Sequence, residues 1–302
     1  MTAPLELRRP SPSSGGSEVH AGDCLDVVPL LVQRARDRFD LVYVDPPFNA
    51  GVKRAARRER GSRAQGTHAY EDNWGGLDGF LHMLEPRLAV LRDAMSERAS
   101  LWLHLDYRAV HDAKTLCDRV FGRARFRGEI IWIPGNGGRK RDAPNVTHQT
   151  ILIYSKGARM LWNAHDPALR EPYASTSLSM HFQNVDAEGR RYRERVIGGK
   201  AYRYYADKGR MLGSVWTDCP AMRANTPLVR ETTGYPTQKP ESLLERIVRA
   251  ASSPESRVLD PMCGSGTTLA VARRLGRRYA GIDKSALACK VARTRLAAIS
   301  ES

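Results

Sequence analysis

Apolar positions along the chain fall into two periods. Short runs at Val19 to Asp23, Asp40 to Asp45, Ser100 to Leu105, Glu129 to Ile133, Thr150 to Tyr154, Arg257 to Asp260 and Arg278 to Asp283 have the length and β-branched content of strands. Between them the spacing changes to three and four. Leu81, Leu84, Leu88, Leu91 and Met95 form a helical stripe over 77–95, with a disturbance expected at Pro86. Further helices are predicted from Leu25, over 110–120, over 240–251, from Thr267 and over 285–296. Strands alternating with helices predict an α/β fold, a mostly parallel Rossmann-like sheet with helices on both faces. The runs at 129–133 and 150–154 suit an antiparallel pair.

Two regions break this rhythm. Residues 1–17 are rich in Pro, Ser and Gly and are expected to be a disordered tail. Over 156–236 the helical period fades and basic and aromatic residues interleave, as in Arg190, Arg191, Tyr192, Arg193 and Arg195, then Lys200, Tyr202, Arg203, Tyr204 and Tyr205. The expected division is therefore a tail (1–17), a first half-domain (18–155), an inserted region (156–236) and a second half-domain (237–302).

Charge narrows the partners. The chain of 302 residues has 48 Lys and Arg against 33 Asp and Glu, a formal net charge of +15. Such an excess favours a polyanion, nucleic acid before an anionic membrane surface. Two basic stretches stand out. One is Gly51 to Tyr70, with Arg57, Arg58 and Arg60, and the other is Gly135 to Arg141, with Arg139 and Lys140. The first is read as a loop, either solvated or closing on phosphates; the second is a basic loop or a plain hairpin connection. No apolar run is long enough to span a bilayer, and no signal peptide is visible. Five scattered cysteines without a C-x-x-C pair fit a reducing cytoplasm and give no metal site. His104 and Asp106 are read as structural.

Two motifs carry chemistry. The first is Asp260-Pro261-Met262-Cys263-Gly264-Ser265-Gly266-Thr267-Thr268, a strand, a glycine turn and a helix start. Such a turn offers backbone N–H groups to a ligand. Asp283 ends the next strand about 20 residues on, where a nucleotide-binding βαβ unit places its ribose carboxylate. Leu269 stands where an NAD fingerprint needs its third glycine, which makes an oxidoreductase the weaker reading. The second motif is Asp45-Pro46-Pro47-Phe48, an apolar strand stopped by two prolines that leave carbonyls outside the ladder.

With both motifs present, the chain resembles the DNA amino-methyltransferases. That family carries Asp, Asn or Ser followed by Pro-Pro and then Tyr or Phe as its catalytic motif, and Asp-Pro-Phe-x-Gly-x-Gly as its cofactor motif. The catalytic motif comes first here, as in the permuted β class. Gly22-Asp23 and Thr237-Gln238-Lys239-Pro240 match further family motifs. The resemblance implies a methyltransferase sheet with a target-recognition region at 156–236, S-adenosyl-L-methionine as cofactor and no metal. It implies a catalytic set of Asp45, Pro46, Pro47 and Phe48. It also implies a cofactor pocket built from residues 260–268, Asp283, Asp23 near the adenine and Lys239 near the methionine end. A turn aspartate capping the helix from Leu25 is an equal reading for Asp23, and a solvated lysine a close one for Lys239. Double-stranded DNA is the implied partner, contacted by Arg57, Arg58, Arg60, Arg139, Lys140, Arg191, Arg193, Tyr202 and Arg203. For the inserted region a small β insertion with a solvated basic face remains open. A homodimer is expected from the β class, and a cognate restriction enzyme is left open.

Met262 replaces the usual Phe of the cofactor motif, and Phe48 the commoner Tyr. Asp at position 45 points to the N6 amine of adenine, because relatives acting on cytosine more often carry Ser there. The N4 amine of cytosine, and a DNA-binding protein with a decayed site, stay open as alternatives.

Overall fold

The structure is a computed structural model and describes residues 16–35, 37–47, 52–56, 67–72, 74–135, 141–222 and 231–299. The chain divides into two compact units, one formed by Met1–Trp162 with Ser214–Ser302, the other by Asn163–Gly213.

The first unit is built on an eight-stranded sheet. Its spatial order is Glu18–Ala21, Arg278–Asp283, Arg257–Asp260, Phe39–Val44, Met95–Leu105, Gln149–Ser155, Phe126–Trp132 and Val215–Trp216. All neighbours pair parallel except Gln149–Ser155, which runs against both of its partners. The antiparallel pair expected from 129–133 and 150–154 is therefore present, its strands starting three residues and one residue earlier.

Burial explains why central strands read as continuous apolar runs. In Phe39–Val44, Val42 and Val44 enter a core shared with Val27, Leu31, Leu84, Leu88 and Leu116 from the helices Cys24–Ala35, Leu77–Ala94 and Val110–Phe121. Leu41 and Tyr43 alternate to the opposite face and are equally buried. That face receives the helix Glu241–Ala251, which inserts Leu243, Leu244, Ile247 and Val248 and lies against the helix Thr267–Arg274. Trp102 stacks there on Trp162, and Trp216 packs beside it, so Trp216 is core.

Three expectations need correction. The helix Leu77–Ala94 passes through Pro86 without interruption. Pro86 and His82, whose carbonyl loses its partner to the proline, both lie on the exposed side, where the oxygen is open to solvent. The stretch read as a loop after the Asp45 motif contains two antiparallel strands, Val52–Ala56 and Thr67–Asp72. Neither carries an apolar face in its sequence, so its period is silent. Arg57, Arg58, Arg60, Arg139 and Lys140 lie outside the described residues, as do Phe48 and residues 1–15 of the tail. Lastly, Met95–Leu105 begins five residues earlier than expected, with polar Ser96, Glu97 and Arg98 in its first turn of pleat.

The second unit, Asn163–Gly213, is small. Lys200–Tyr205, Arg191–Ile197 and Asn184–Val185 form an antiparallel sheet, and Arg170–Glu171 pairs with Arg210–Met211. The hairpin turn is Gly198-Gly199, both at positive φ (58° and 77°), as a two-residue turn matching strand twist requires.

Candidate active site

The two motifs meet because their strands are neighbours. Val258 pairs with Leu41 and Leu259 with Val42, in parallel, so Asp260 and Asp45 leave the sheet at the same edge. Parallel open sheets bind ligands beyond this carboxyl edge.

The turn after Asp260 is fastened on all sides. The Cys263 N–H donates to the Ile282 carbonyl (2.8 Å), and the Gly266 N–H donates to the Cys263 carbonyl (2.7 Å). The Met262 N–H donates to Oδ1 of Asp260 (3.2 Å). Asp283 accepts from the Gly264 N–H at Oδ2 (2.9 Å) and from the Ser285 N–H at Oδ1 (2.8 Å). Gly264 has φ 50° and faces the Tyr235 ring, 3.4 Å from where a Cβ would stand. Gly266, at φ 74°, is the N-cap of Thr267–Arg274; a Cβ there would sit 2.8 Å from the Cβ of Ala292.

A cavity of about 590 Å³ opens over this edge. It is lined by Asp45, Pro46 and Pro47 from one motif, by residues 260–265 with Thr267 and Thr268 from the other, and by Asp23, Asp283 and Lys239. Gly266 is the one member of the expected cofactor set outside the lining; it sits behind the turn, packed on Ala292.

The cavity is electrostatically mixed. Burial pushes the Asp260 carboxyl up to about 7, opposed by hydrogen bonds from Thr268 and the Met262 N–H and reinforced by Asp45 and Asp283. Burial also raises Asp283 against the N–H groups of Ser285 and Gly264. Asp45 is raised by burial in spite of the Lys239 ammonium bonded to its Oδ2. Its other oxygen, Oδ1, is buried and has no hydrogen-bond partner among the described residues. At Asp23, burial pushes upward, but Lys284, the Leu25 N–H and Arg87 outweigh it and the net direction is down.

Asp23 takes the turn-capping place of one expected reading, and it also lines the cavity. Its Oδ1 accepts from the Leu25 N–H (3.1 Å) at the start of Cys24–Ala35, and its carboxylate lines the cavity, held by Arg87 and Lys284. Lys239 is not the solvated lysine of one expected reading. It is buried, and its ammonium bonds the carboxylate of Asp45, not open solvent.

A sequence model of the DNA methylase family matches residues 39–294. The chain belongs to that family, the S-adenosylmethionine-dependent DNA methyltransferases acting on amino groups. Its Asp45 and Asp260 motifs fall within the matched span, as does the cavity lining apart from Gly22, Asp23 and Cys24. Type II methyltransferase M2.DpnII of Streptococcus pneumoniae is 43% identical over 285 residues, covering 92% of this chain and 89% of the relative. Type II methyltransferase M.EcaI of Enterobacter cloacae is 28% identical over 85% of this chain, which spans 64% of that longer protein. Among solved structures, the M1.HpyAVI–SAM complex superposes with a TM-score of 0.53 at 15% identity, covering 92% of this chain and 98% of that one. The Rossmann-like methyltransferase fold is therefore the fold of this chain.

Several cavity residues of this methylase were not foreseen: Arg87, Trp74, Tyr235, Tyr43 and Lys284. Arg87 had a readable signal. It sits on the buried stripe of its helix, three residues after Leu84 and four before Leu91, where a charge needs a buried partner. The Tyr43 hydroxyl is hydrogen-bonded to Nδ1 of His104 (2.8 Å), and both side chains are buried.

The basic residues of the second unit are largely engaged within it. Arg191 donates to the carbonyls of Phe182 (3.0 Å) and Leu178 (2.8 Å), closing the helix Ser175–His181. The Arg193 guanidinium lies over the rings of Tyr173, Phe182 and Tyr204. Arg203 pairs with Glu194 and covers Tyr192. Tyr202 stands 42% exposed. Among the described residues no helix is long and apolar enough to cross a membrane, and no three His, Cys, Asp or Glu side chains gather as a metal site.

Proposed function

We propose that this chain methylates the exocyclic N6 amine of adenine in double-stranded DNA. The observation that carries the reading is one cavity lined by both motifs, with Asp45 in its wall and Oδ1 of that carboxylate without a hydrogen-bond partner among the described residues. An exocyclic amine is a poor nucleophile, because its lone pair is delocalised into the ring. Oδ1 of Asp45 and the Pro46 carbonyl accept its two hydrogens. That draws the nitrogen toward tetrahedral geometry and stabilises the positive charge developing on it. The base must leave the duplex to reach this depth, so flipping is required. Phe48 is assigned to stack on it.

The residues fit S-adenosylmethionine. Asp283 suits the ribose hydroxyls, Asp23 the adenine, and the Gly264 turn permits close backbone approach. Asp260 and Asp283, when ionised, give a sulfonium cation a favourable field, while the charge of Asp45 is offset by Lys239. The cofactor supplies an electrophilic methyl group, and the chain's task is to align the amine with it. Asp at position 45 supports adenine. Arg57, Arg58 and Arg60 are assigned to phosphates and the Asn163–Gly213 unit to base recognition.

Asp45→Ala tests the reading. Single-turnover methylation, with DNA and cofactor saturating, is expected to fall by about 10²–10³, the usual cost of one preorganised electrostatic group. Binding of both ligands is expected to persist, because Asp45 acts on charge present only in the transition state. Transfer at the parental rate refutes the assignment.

A further inference from the structure

Asp45 and Lys239 are 194 residues apart in sequence and meet at the cavity wall. Lys239, expected from the resemblance near the methionine end of a cofactor, contacts the carboxylate of Asp45 in the structure. Its ammonium, 8% exposed as a residue, bonds Oδ2 of Asp45 at 2.5 Å. The two oxygens of this carboxylate are thus unequal. Oδ2 is held by a buried cation, while Oδ1 is buried with no partner among the described residues. Lys239 is itself fixed from behind. It directly precedes Pro240, the N-cap of Glu241–Ala251, whose Leu243, Leu244 and Ile247 are fully buried. Gln238 next to it anchors the segment by accepting from the Thr233 hydroxyl (2.8 Å) and donating to the Glu231 carbonyl (2.7 Å).

We propose that Lys239 is a positioning residue for the reacting carboxylate: it fixes Oδ2 of Asp45, keeps the group anionic, and leaves Oδ1 as the acceptor turned to the substrate amine. This rests on the methyl-transfer reading above.

The surroundings of Asp45 make such a cation necessary. Tyr43 lies two residues before it on the same strand, and Asp260 ends the neighbouring strand, with Asp283 beyond. His104, on Met95–Leu105, bonds Tyr43. Burial raises Tyr43 well above its ordinary range and lowers His104 well below its own, so both are neutral near pH 7. Asp260 adds negative charge once ionised. Burial then pushes Asp45 toward its protonated form, and Lys239 opposes this. A protonated Asp45 would present a hydroxyl in place of one acceptor oxygen and lose the charge that stabilises the transition state.

The sign follows. Asp45 is active when ionised, so activity falls as pH drops through its pKa. Removing the lysine charge removes the opposing influence, and that acid limb moves to higher pH. Loss of an opposite charge at this range shifts a carboxyl by roughly 1–3 pH units.

The test follows the carboxyl directly. In full-length protein with ¹³C-labelled aspartate carboxyls, the Asp45 resonance is assigned by Asp45→Asn and titrated. Lys239→Met is expected to raise its midpoint by roughly 1–3 pH units, and Lys239→Arg to leave it near the parent. If the Met variant does not fold, Lys239→Gln, which keeps a donor without charge, carries the same comparison. Single-turnover rates are expected to show the same shift in the acid limb, with recovery at high pH and unchanged affinity for S-adenosylmethionine. An unmoved Asp45 midpoint in the charge-free variant overturns the proposal. A fall in cofactor affinity with an unmoved midpoint also overturns it and returns Lys239 to the cofactor's carboxylate. A parent enzyme that methylates no DNA refutes the methyl-transfer reading instead, and the carboxyl titration still decides the pairing.

Discussion

Asp283 uses both of its oxygens within the chain, on the N–H groups of Gly264 and Ser285. It therefore shapes the turn as well as facing the cavity, so truncation to alanine would strand two donors and confound any binding result. Asp283→Asn is the cleaner variant, since it keeps one acceptor oxygen. It is expected to weaken S-adenosylmethionine binding by about 1.5–3 kcal/mol, the usual worth of a hydrogen bond to a charged group. Calorimetric affinity equal to the parent would remove Asp283 from the cofactor site. Asp45 shows what a sequence conveys at this scale. Its strand, its prolines and its neighbour Asp260 were legible, because each is a local pattern. Its pairing with Lys239 was not, because nothing local marks a contact between residues 194 positions apart. Arg87 left a local mark, a charge on the helical stripe that otherwise reads as core, but its partner Asp23, 64 residues away, left none.

At the scale of elements, the glycine turn is held by what packs on it. Gly266 needs its left-handed φ of 74° and the space that Ala292 leaves it. Gly281 likewise has no room, as a Cβ there would fall 2.3 Å from Cδ1 of Leu269. Leu269 thus occupies the strand-to-helix gap that a third fingerprint glycine would leave open, and Gly281 on the strand compensates. Gly266→Ala is expected to destabilise the protein by about 1–3 kcal/mol, from left-handed strain and overpacking together. A urea midpoint equal to the parent's would contradict that packing account. Elements with an apolar period were readable within a residue or two, as Arg257–Asp260, Arg278–Asp283 and Ala286–Ala297 show. Val52–Ala56, Thr67–Asp72 and Val215–Trp216 were not. The first two lack an apolar face, and the third is two residues long and defined by its pairing with Ile131 and Trp132.

For the whole molecule, the permuted motif order is immaterial once the sheet is assembled, because Phe39–Val44 and Arg257–Asp260 lie side by side. The inserted region was visible as a change in composition over 156–236, and the compact unit inside it is Asn163–Gly213. The edges differ because composition changes gradually, while a unit ends where its contacts do. Net charge of +15 makes DNA binding salt-dependent. Replacing Arg57, Arg58 and Arg60 by glutamine is expected to lower affinity for all sequences and flatten the log–log salt slope by about 0.9 per lost phosphate contact. An unchanged slope would free those arginines from the phosphates. The central claim concerns the product. Unmethylated duplex DNA is incubated with the protein and S-adenosylmethionine, digested to nucleosides and weighed. The expected product is N6-methyl-deoxyadenosine, formed only with Asp45 intact; N4-methylated deoxycytidine, or no methylated nucleoside at all, would refute adenine methylation.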